Sequence, residues 1–203
     1  MQIINTYDIK DNFKNVSIVV NTTNIEIKNS EKDETKVICK ERKKYAHNVH
    51  IEDETLIIRK KERKWYTYIL PNFDKADITI FIPKDKTENI NIKCNTGHIN
   101  ISSINFKDNV NIKINTGKIN LDKVLVKGKI SIKTNTGKVN FNDSDANELF
   151  IKTNTGNVGG TLLTDKAFVI RCNTGRINIP TTFGNNKCEI ISNTGNIDFK
   201  TKA

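Results

Sequence analysis

The sequence predicts an all-β protein built as a single-stranded parallel β-helix, a β-solenoid with coils of about 20 residues. Three observations lead to this prediction. The tripeptide Asn-Thr-Gly occurs six times, at intervals of 19 or 20 residues. Aliphatic and polar residues alternate on both sides of every copy, which is the two-residue period of a β-strand. Helix signals are almost absent, and the one short candidate is the segment 143–151.

Four positions around each tripeptide carry the predicted core. Counted from the asparagine, they lie five and three residues before it, and four and six residues after it. Of the 24 residues at these positions, 22 are Ile, Val, Leu or Phe. A two-strand unit cannot bury its own apolar face, but copies stacked about 4.8 Å apart through parallel hydrogen bonds can. We therefore expect residues 89–203 to form six stacked, right-handed coils, numbered one to six along the chain.

The tripeptide itself predicts a sharp turn between the two strands of each coil. Glycine at its third position tolerates positive φ, which β-branched residues resist. Asparagine can bond to the turn backbone, and stacked asparagines can bond to one another. We interpret the motif as architectural. Its structural positions are Asn95, Gly97, Asn115, Gly117, Asn135, Gly137, Asn154, Gly156, Asn173, Gly175, Asn193 and Gly195.

The first 88 residues are predicted to cap one end of the solenoid, within one continuous domain that spans 1–203. Uncovered ends of a solenoid expose unpaired strands, so a cap is needed. A hairpin is expected to turn at Asp53-Glu54. Alternation of apolar and polar residues predicts further strands, which gives expected strands at 35–40, 48–52, 55–60 and 76–83.

One part of this region resembles the repeat. Residues 15–27 align position for position with 109–121, and Thr23 occupies the place of the turn glycine. We interpret 15–27 as a degenerate coil with a different turn, because threonine avoids positive φ. At the other end, coil six (Ile190 to Phe199) is expected to leave an edge that a second copy of the chain could pair with.

Positive charge is concentrated in the repeats. The net charge is +10; residues 1–88 hold 17 Lys/Arg against 15 Asp/Glu, whereas residues 89–203 hold 16 against 8. Two outward rows flank the turns. Two residues before the asparagine stand Lys93, Lys113, Lys133, Lys152 and Arg171, with Ile191 in coil six. Three residues after it, the cations are Lys118, Lys138 and Arg176, and the other coils carry His98, Asn157 and Asn196.

Stacked cations of this kind would attract a polyanion such as teichoic acid, anionic lipid head groups, an acidic glycan or nucleic acid. Nucleic acid is the least favoured of these, because no aromatic side chains interleave with the rows. The other interpretation is that lysines fill solvated strand positions, where they also discourage sheet aggregation. The sequence leaves both interpretations open.

A second basic stretch, 59–73, contains Trp65, Tyr66 and Tyr68. These aromatics could form a sugar-binding or membrane-interface patch, or they could cover the open side of the solenoid. His50 stands near three acidic residues, a weak signal for a metal or acid-base site.

The four cysteines, Cys39, Cys94, Cys172 and Cys188, show no C-x-x-C spacing. They are expected to be buried or half-buried thiols in a reducing compartment. A zinc site is the alternative, but no paired ligands are visible, so we expect no metal and no cofactor. No apolar run approaches the ~18 residues of a membrane span, and no secretory leader is apparent, which favours the cytoplasm.

The sequence favours a protein without catalytic activity. Parallel β-helices include polysaccharide lyases and hydrolases, which need clustered acidic residues on one face. Here the acidic residues of the coils are few and fall mostly in connecting loops. The sequence also shows no recognisable Ser-His-Asp or Cys-His catalytic pairing. A carbohydrate-active β-helix enzyme remains the alternative.

The coils, such as 111–121, and the preceding strand "ITIFIP" at 78–83 resemble the bacterial putative-adhesin family, whose domains have a toast-rack-like β-helix and unknown function. The resemblance covers nearly the whole chain. It implies a bacterial protein, often associated with the cell envelope, that serves as an adhesin-like binding or scaffolding surface. Many relatives carry a membrane anchor or signal, and this chain shows none.

Overall fold

The structure, a computed structural model, describes residues 2–43, 46–60, 75–181 and 184–202. Within these ranges there are twenty β-strands and no α-helix, and so no helix that could span a membrane. The strands are β1 (Gln2–Ile9), β2 (Asn15–Val19), β3 (Thr23–Asn29), β4 (Thr35–Arg42), β5 (His47–Glu52), β6 (Thr55–Lys60), β7 (Ala76–Ile82), β8 (Asn89–Thr96), β9 (Ile99–Ser102), β10 (Asn105–Phe106), β11 (Val110–Thr116), β12 (Ile119–Asp122), β13 (Leu125–Thr136), β14 (Val139–Asn142), β15 (Asp145–Thr155), β16 (Val158–Leu162), β17 (Lys166–Thr174), β18 (Ile177–Asn178), β19 (Asn186–Thr194) and β20 (Ile197–Thr201).

Two large sheets enclose one core. The first runs in the order β1-β4-β7-β3-β9-β12-β14-β16-β20-β18, and the second in the order β17-β19-β15-β13-β11-β8-β2-β6-β5, with β10 beside β13. Each Asn-Thr-Gly turn carries the chain from the second sheet to the first. Equivalent residues of neighbouring coils pair in parallel, as Ile92, Ile112 and Ile132 do. The prediction of an all-β protein with stacked coils is confirmed.

The coils do not stack in the order of the sequence. Strand β19 of coil six lies between β15 of coil four and β17 of coil five. In the other sheet, β20 lies between β16 and β18 in the same way. The expectation that coil six leaves the open edge is therefore wrong: coil five is the outermost coil, and coil six is inserted beneath it.

Burial of the core follows this order. The aliphatic residues of coils one to four and coil six are buried at the four predicted positions, and Cys188 is fully buried in coil six. In coil five, by contrast, Phe168, Ile170 and Ile179 are only partly buried, and Ile177 is 47% exposed. These side chains have a neighbouring coil on one side only.

The inserted order has a chemical consequence for Cys172, which faces inward on β17 yet remains partly exposed. We expect a thiol reagent at about pH 8 to label Cys172 within minutes and to leave the other three cysteines unmodified in the folded chain. Burial raises the pKa of Cys39 and of Cys188 to about 12, and burial also raises the pKa of Cys94. All three therefore hold little reactive thiolate at this pH.

The measurement is thiol release against time for the unmodified chain and for Cys172→Ser, with denatured protein as the total. The Cys172→Ser variant should lose the fast phase and retain the slow one. In a solenoid stacked in sequence order, Cys172 would be sandwiched between coils four and six. A missing fast phase in the unmodified chain would therefore contradict the strand order described above.

A third, shorter side closes the coils. Strand β10 pairs with the first residues of β13, which in turn pair with the first residues of β15. This side buries Ile104, Phe106, Val124 and Val126. The segment 143–151, the one short helix candidate in the sequence, belongs mostly to strand β15. Pairing with β13 and β19 on its two sides overrides its local helix signals.

The N-terminal region is mixed rather than a continuation of a single-stranded helix. Strands β2 and β3 pair in parallel with β8 and β9 of coil one, in the register of the sequence alignment. Beyond them, β1, β4 and β7 are antiparallel neighbours. Strands β5 and β6 form an antiparallel hairpin whose turn residues, Asp53 and Glu54, both have positive φ. Strands β6 and β7 continue the parallel stack, because they pair in parallel with β2 and β3. Antiparallel pairing enters with β1, β4 and β5.

Candidate binding groove beside the turns

Four lysines stack on the outer face of the second sheet. Lys93, Lys113, Lys133 and Lys152 are aligned partners on β8, β11, β13 and β15, and all four side chains are exposed. We call this set the lysine ridge. At one strand spacing per coil it extends over about 14 Å.

Arg171 does not extend this ridge directly. Ile191 of coil six pairs with Lys152 on one side and with Arg171 on the other, because β19 is inserted between β15 and β17. The sequence-based expectation of five adjacent cations is therefore wrong. The ridge consists of four adjacent lysines, and Arg171 lies one coil beyond it.

The second predicted row is also interrupted. His98, Lys118 and Lys138 are followed in the stack by Asn157 and Asn196, and only then by Arg176. The asparagines support the turn: the backbone N–H of Asn196 donates to Asn157 Oδ1 at 2.9 Å, and that of Arg176 donates to Asn196 Oδ1 at 3.0 Å. Positions in this row therefore also have a structural role, and Lys118 and Lys138 are its two neighbouring cations.

An open groove of about 880 Å³ runs along the stack beside the lysine ridge. The ridge lines it, and so do asparagines of the turns: Asn95, Asn115, Asn135, Asn154 and Asn193. Toward coil six, Asn193 Nδ2 donates to Asn154 Oδ1 at 2.5 Å. In the described part of the chain, no side-chain hydrogen bond links Asn95, Asn115 and Asn135 to one another. Their amides are free to serve a ligand.

Phe150 gives the groove an apolar element. It stands on the outer face of β15, half-buried, and Lys129 and Lys133 place their ammonium groups 5.6 and 5.9 Å from the centre of its ring. Such cation-π contacts hold long lysine side chains near the ring without neutralising them. Val19 lines the groove at its opposite end, in the place that a lysine holds in coils one to four.

The electrostatics of the groove are strongly one-sided. No member of the lysine ridge forms an ion pair with a carboxylate within the described residues, although other lysines of the protein do so. None of the described residues that line the groove is acidic. Neighbouring lysines repel each other by about 1 kcal/mol per pair even in water. A bound anion would relieve that repulsion.

The sequence also singled out an aromatic patch and a histidine. Trp65, Tyr66 and Tyr68 lie outside the described residues. His50 Nε2 lies 3.7 Å from a carboxylate oxygen of Glu52. The two residues are two positions apart on β5, an edge strand of the second sheet.

Sequence reasoning from the repeat identified the ridge but missed the groove. The asparagines were interpreted only as turn residues, and Phe150 was not singled out. Both could have been found by noting which outward positions adjoin the lysine row.

Comparisons with known proteins agree on the fold. A family model described as Toastrack DUF4097 matches residues 13–203. A structure from Clostridium sporogenes, described as a "putative cell adhesion protein", is 12% identical, with a TM-score of 0.58, and the match covers 100% of this chain and 99% of that one. A "putative adhesin" from Bacteroides fragilis is 18% identical, with a TM-score of 0.55, and the match covers 98% and 97%. A comparison with curated proteins gives no match.

Proposed function

The chain belongs to the Toastrack DUF4097 family, and from that premise we propose that it is a non-catalytic binding protein that holds a linear anionic polymer of the bacterial cell envelope along the groove. One observation carries the proposal. Four adjacent lysines, none paired with a carboxylate within the described residues, border an open groove that has no acidic lining residue among those described.

The geometry suits an extended polymer better than a small ligand. The groove is long and open, and coils one to four each add one ammonium group and one amide at a constant spacing of about 4.8 Å. A chain of repeating anionic units can thus contact several coils at once. Each contact is weak on an exposed surface, so useful affinity would come from their number.

The proposal also fits the absence of acidic side chains from the described groove lining. A glycan hydrolase or lyase of the β-helix class would place carboxylates against its substrate, whereas a polymer-binding surface gains by excluding them. Two similar structures are described as a "putative cell adhesion protein" and a "putative adhesin", and attachment to an envelope polymer is an adhesion chemistry. We therefore place this function at the envelope rather than in the cytoplasm that the sequence favours.

The test is a charge reversal of the ridge. We expect Lys113→Glu/Lys133→Glu/Lys152→Glu to weaken binding to a teichoic acid or an acidic glycan by about 100-fold or more, because three contacts of about 1 kcal/mol each are replaced by repulsion. Binding of the unmodified chain should fall steeply between about 50 and 200 mM salt. Affinity is measured by titration against a panel that also includes anionic vesicles and single-stranded DNA.

The matched control is Lys10→Glu/Lys107→Glu/Lys127→Glu, which changes the net charge equally at exposed positions outside the groove. Equal losses in both triple variants would show that only the overall charge matters, and would contradict a role for the groove. A chain that binds no polyanion at low salt would likewise overturn the proposal.

A further inference from the structure

A buried cluster of three metal-ligating residues lies in the N-terminal region, apart from the groove. Cys39 and Glu41 are alternate residues of β4 and face inward together, and His47 begins β5 in the opposite sheet. Their exposed fractions are 0%, 1% and 5%. The Cys39 sulfur, a carboxylate oxygen of Glu41 and a ring nitrogen of His47 all lie within 4.8 Å of one another.

The cluster is held in place by its surroundings. His47 Nδ1 and Glu41 Oε2 are 2.5 Å apart, and the backbone N–H of His47 donates to the same oxygen at 3.0 Å. The side chain of Asn5, on β1, donates to Glu41 Oε1 at 2.8 Å. Three separate strands, β1, β4 and β5, therefore fix the positions of the carboxylate and the imidazole.

Two atoms of the cluster lack partners among the described residues. His47 Nε2 is buried and makes no hydrogen bond there, and the Cys39 thiol likewise forms none within the described chain. Burial and the nearby Glu41 raise the pKa of Cys39 to about 12. Burying such groups without partners is unfavourable, and a cation is the partner that a thiol and an imidazole share.

We propose that Cys39, Glu41 and His47 bind one borderline-soft divalent cation, of which Zn²⁺ is the typical example. A sulfur, nitrogen and oxygen ligand set is characteristic of Zn²⁺, whereas Ca²⁺ and Mg²⁺ require oxygen ligands. Bonds of about 2.0–2.3 Å place tetrahedral ligand atoms about 3–4 Å apart. A separation of up to 4.8 Å therefore needs to shorten by about 1 Å, whereas the 2.5 Å contact between His47 Nδ1 and Glu41 Oε2 needs to lengthen by a similar amount.

The charges balance inside the protein. Binding expels the proton of the Cys39 thiol, so that one thiolate and one carboxylate neutralise the two positive charges of the ion. A cavity of about 10 Å³ adjoins Glu41 and His47, which is room for about one water molecule as a fourth ligand. Arg42, Lys60 and Lys75 also line this cavity. Their charges oppose a cation, so both negative ligands are needed.

The test uses Co²⁺ as a spectroscopic probe on the full chain after chelator treatment and desalting. We expect about one equivalent of Co²⁺ to produce a thiolate-to-cobalt charge-transfer band in the near ultraviolet, and Zn²⁺ to abolish it by displacement. Cys39→Ser, Glu41→Gln and His47→Gln should each weaken Co²⁺ binding by about 100-fold or more, beyond the effect of losing an outer-shell contact.

Cys188→Ser is the matched control, because Cys188 is equally buried and its pKa is also raised to about 12, by burial. This variant should retain the band. Absence of the band in the unmodified chain, or its survival in Cys39→Ser, would overturn the proposal. If Cys39→Ser fails to fold, the variant Cys94→Ser/Cys172→Ser/Cys188→Ser decides: it keeps Cys39 as its sole thiol, and loss of the band there would overturn the site.

Discussion

Replacing Gly117 by alanine is expected to destabilise the fold by about 3–5 kcal/mol, as the sum of backbone strain and overpacking. Gly117 has a φ of +149°, a conformation open almost only to glycine. A Cβ at this position would also lie 1.6 Å from the carbonyl oxygen of Gly97 in coil one. The obstacle is backbone, which cannot turn aside as a flexible side chain can.

The same contact recurs one coil further, where a Cβ on Gly137 would lie 1.7 Å from the carbonyl oxygen of Gly117. An added methyl group therefore forces neighbouring turns apart. The measurement is urea unfolding of Gly117→Ala beside Thr116→Ala, whose side chain is exposed in the same turn. The control should change the free energy of unfolding by no more than about 0.5 kcal/mol. A loss below about 1 kcal/mol in Gly117→Ala would contradict the close packing of the turns.

Removing the carboxylate of Asp145 is expected to cost about 3–5 kcal/mol, because it leaves a buried lysine without its counter-charge. Lys166 is fully buried, and its ammonium group lies 2.5 Å from Asp145 Oδ1. It also donates to the carbonyl oxygen of Ala146 at 2.8 Å and to Thr164 Oγ1 at 2.7 Å. Asp145 accepts the backbone N–H of Ala146 and of Thr164 as well, so its loss breaks a connected network.

The protein provides a matched comparison on the same strand. Glu148, also on β15, pairs with Lys129 at 3.4 Å, but both side chains are about half exposed. Glu148→Ala should cost less than about 1 kcal/mol, against the larger loss in Asp145→Ala, both measured by urea unfolding. Adding Lys166→Met to Asp145→Ala should recover part of the loss, since the uncompensated charge disappears. Equal effects of the two alanine substitutions would contradict a buried, energetically coupled pair.

The repeat made the local architecture predictable. Alternation around each Asn-Thr-Gly turn fixed which residues face inward, and the constant interval indicated parallel stacking. The order of the coils was not predictable in this way. Ile151, Ile170 and Ile190 occupy the same position in coils four, five and six, so the local pattern does not distinguish the pairs that form, Ile151 with Ile190 and Ile170 with Ile190, from other pairings. The repeat period identifies the coils of a solenoid but does not predict the order in which they stack.

Features that depend on distant parts of the chain were also missed. Strand β1 has alternating inward residues, Ile3, Asn5, Tyr7 and Ile9, but its antiparallel partner β4 is more than twenty-five residues away in the sequence. His47 meets Cys39 and Glu41 only because the two sheets face each other. The spacing of these three residues in the sequence matches no metal-binding motif. The cluster forms only in the folded protein and could not be predicted from the sequence.

For the groove, the sequence predicted which side chains point outward, but it did not predict which outward side chains lie next to one another. The exposure of Lys93, Lys113, Lys133 and Lys152 follows from the strand period alone. Arg171 is separated from them because β19 is inserted between β15 and β17. No local sequence pattern predicts that insertion. The part of the site that could be predicted is therefore its chemistry, and the part that could not is its extent.

The insertion of coil six also has a consequence for how the chain is made. Synthesis proceeds from the N-terminus, so β17 and β18 leave the ribosome before β19 and β20, the strands on which they finally rest. During that interval β15 is an edge strand at this end of the sheet, and its inward row matches that of β17. The nascent protein must then either delay the folding of coil five or release it again to admit coil six. Correct assembly of this end is thus a kinetic competition, and its outcome depends on the rate of elongation through residues 166–201.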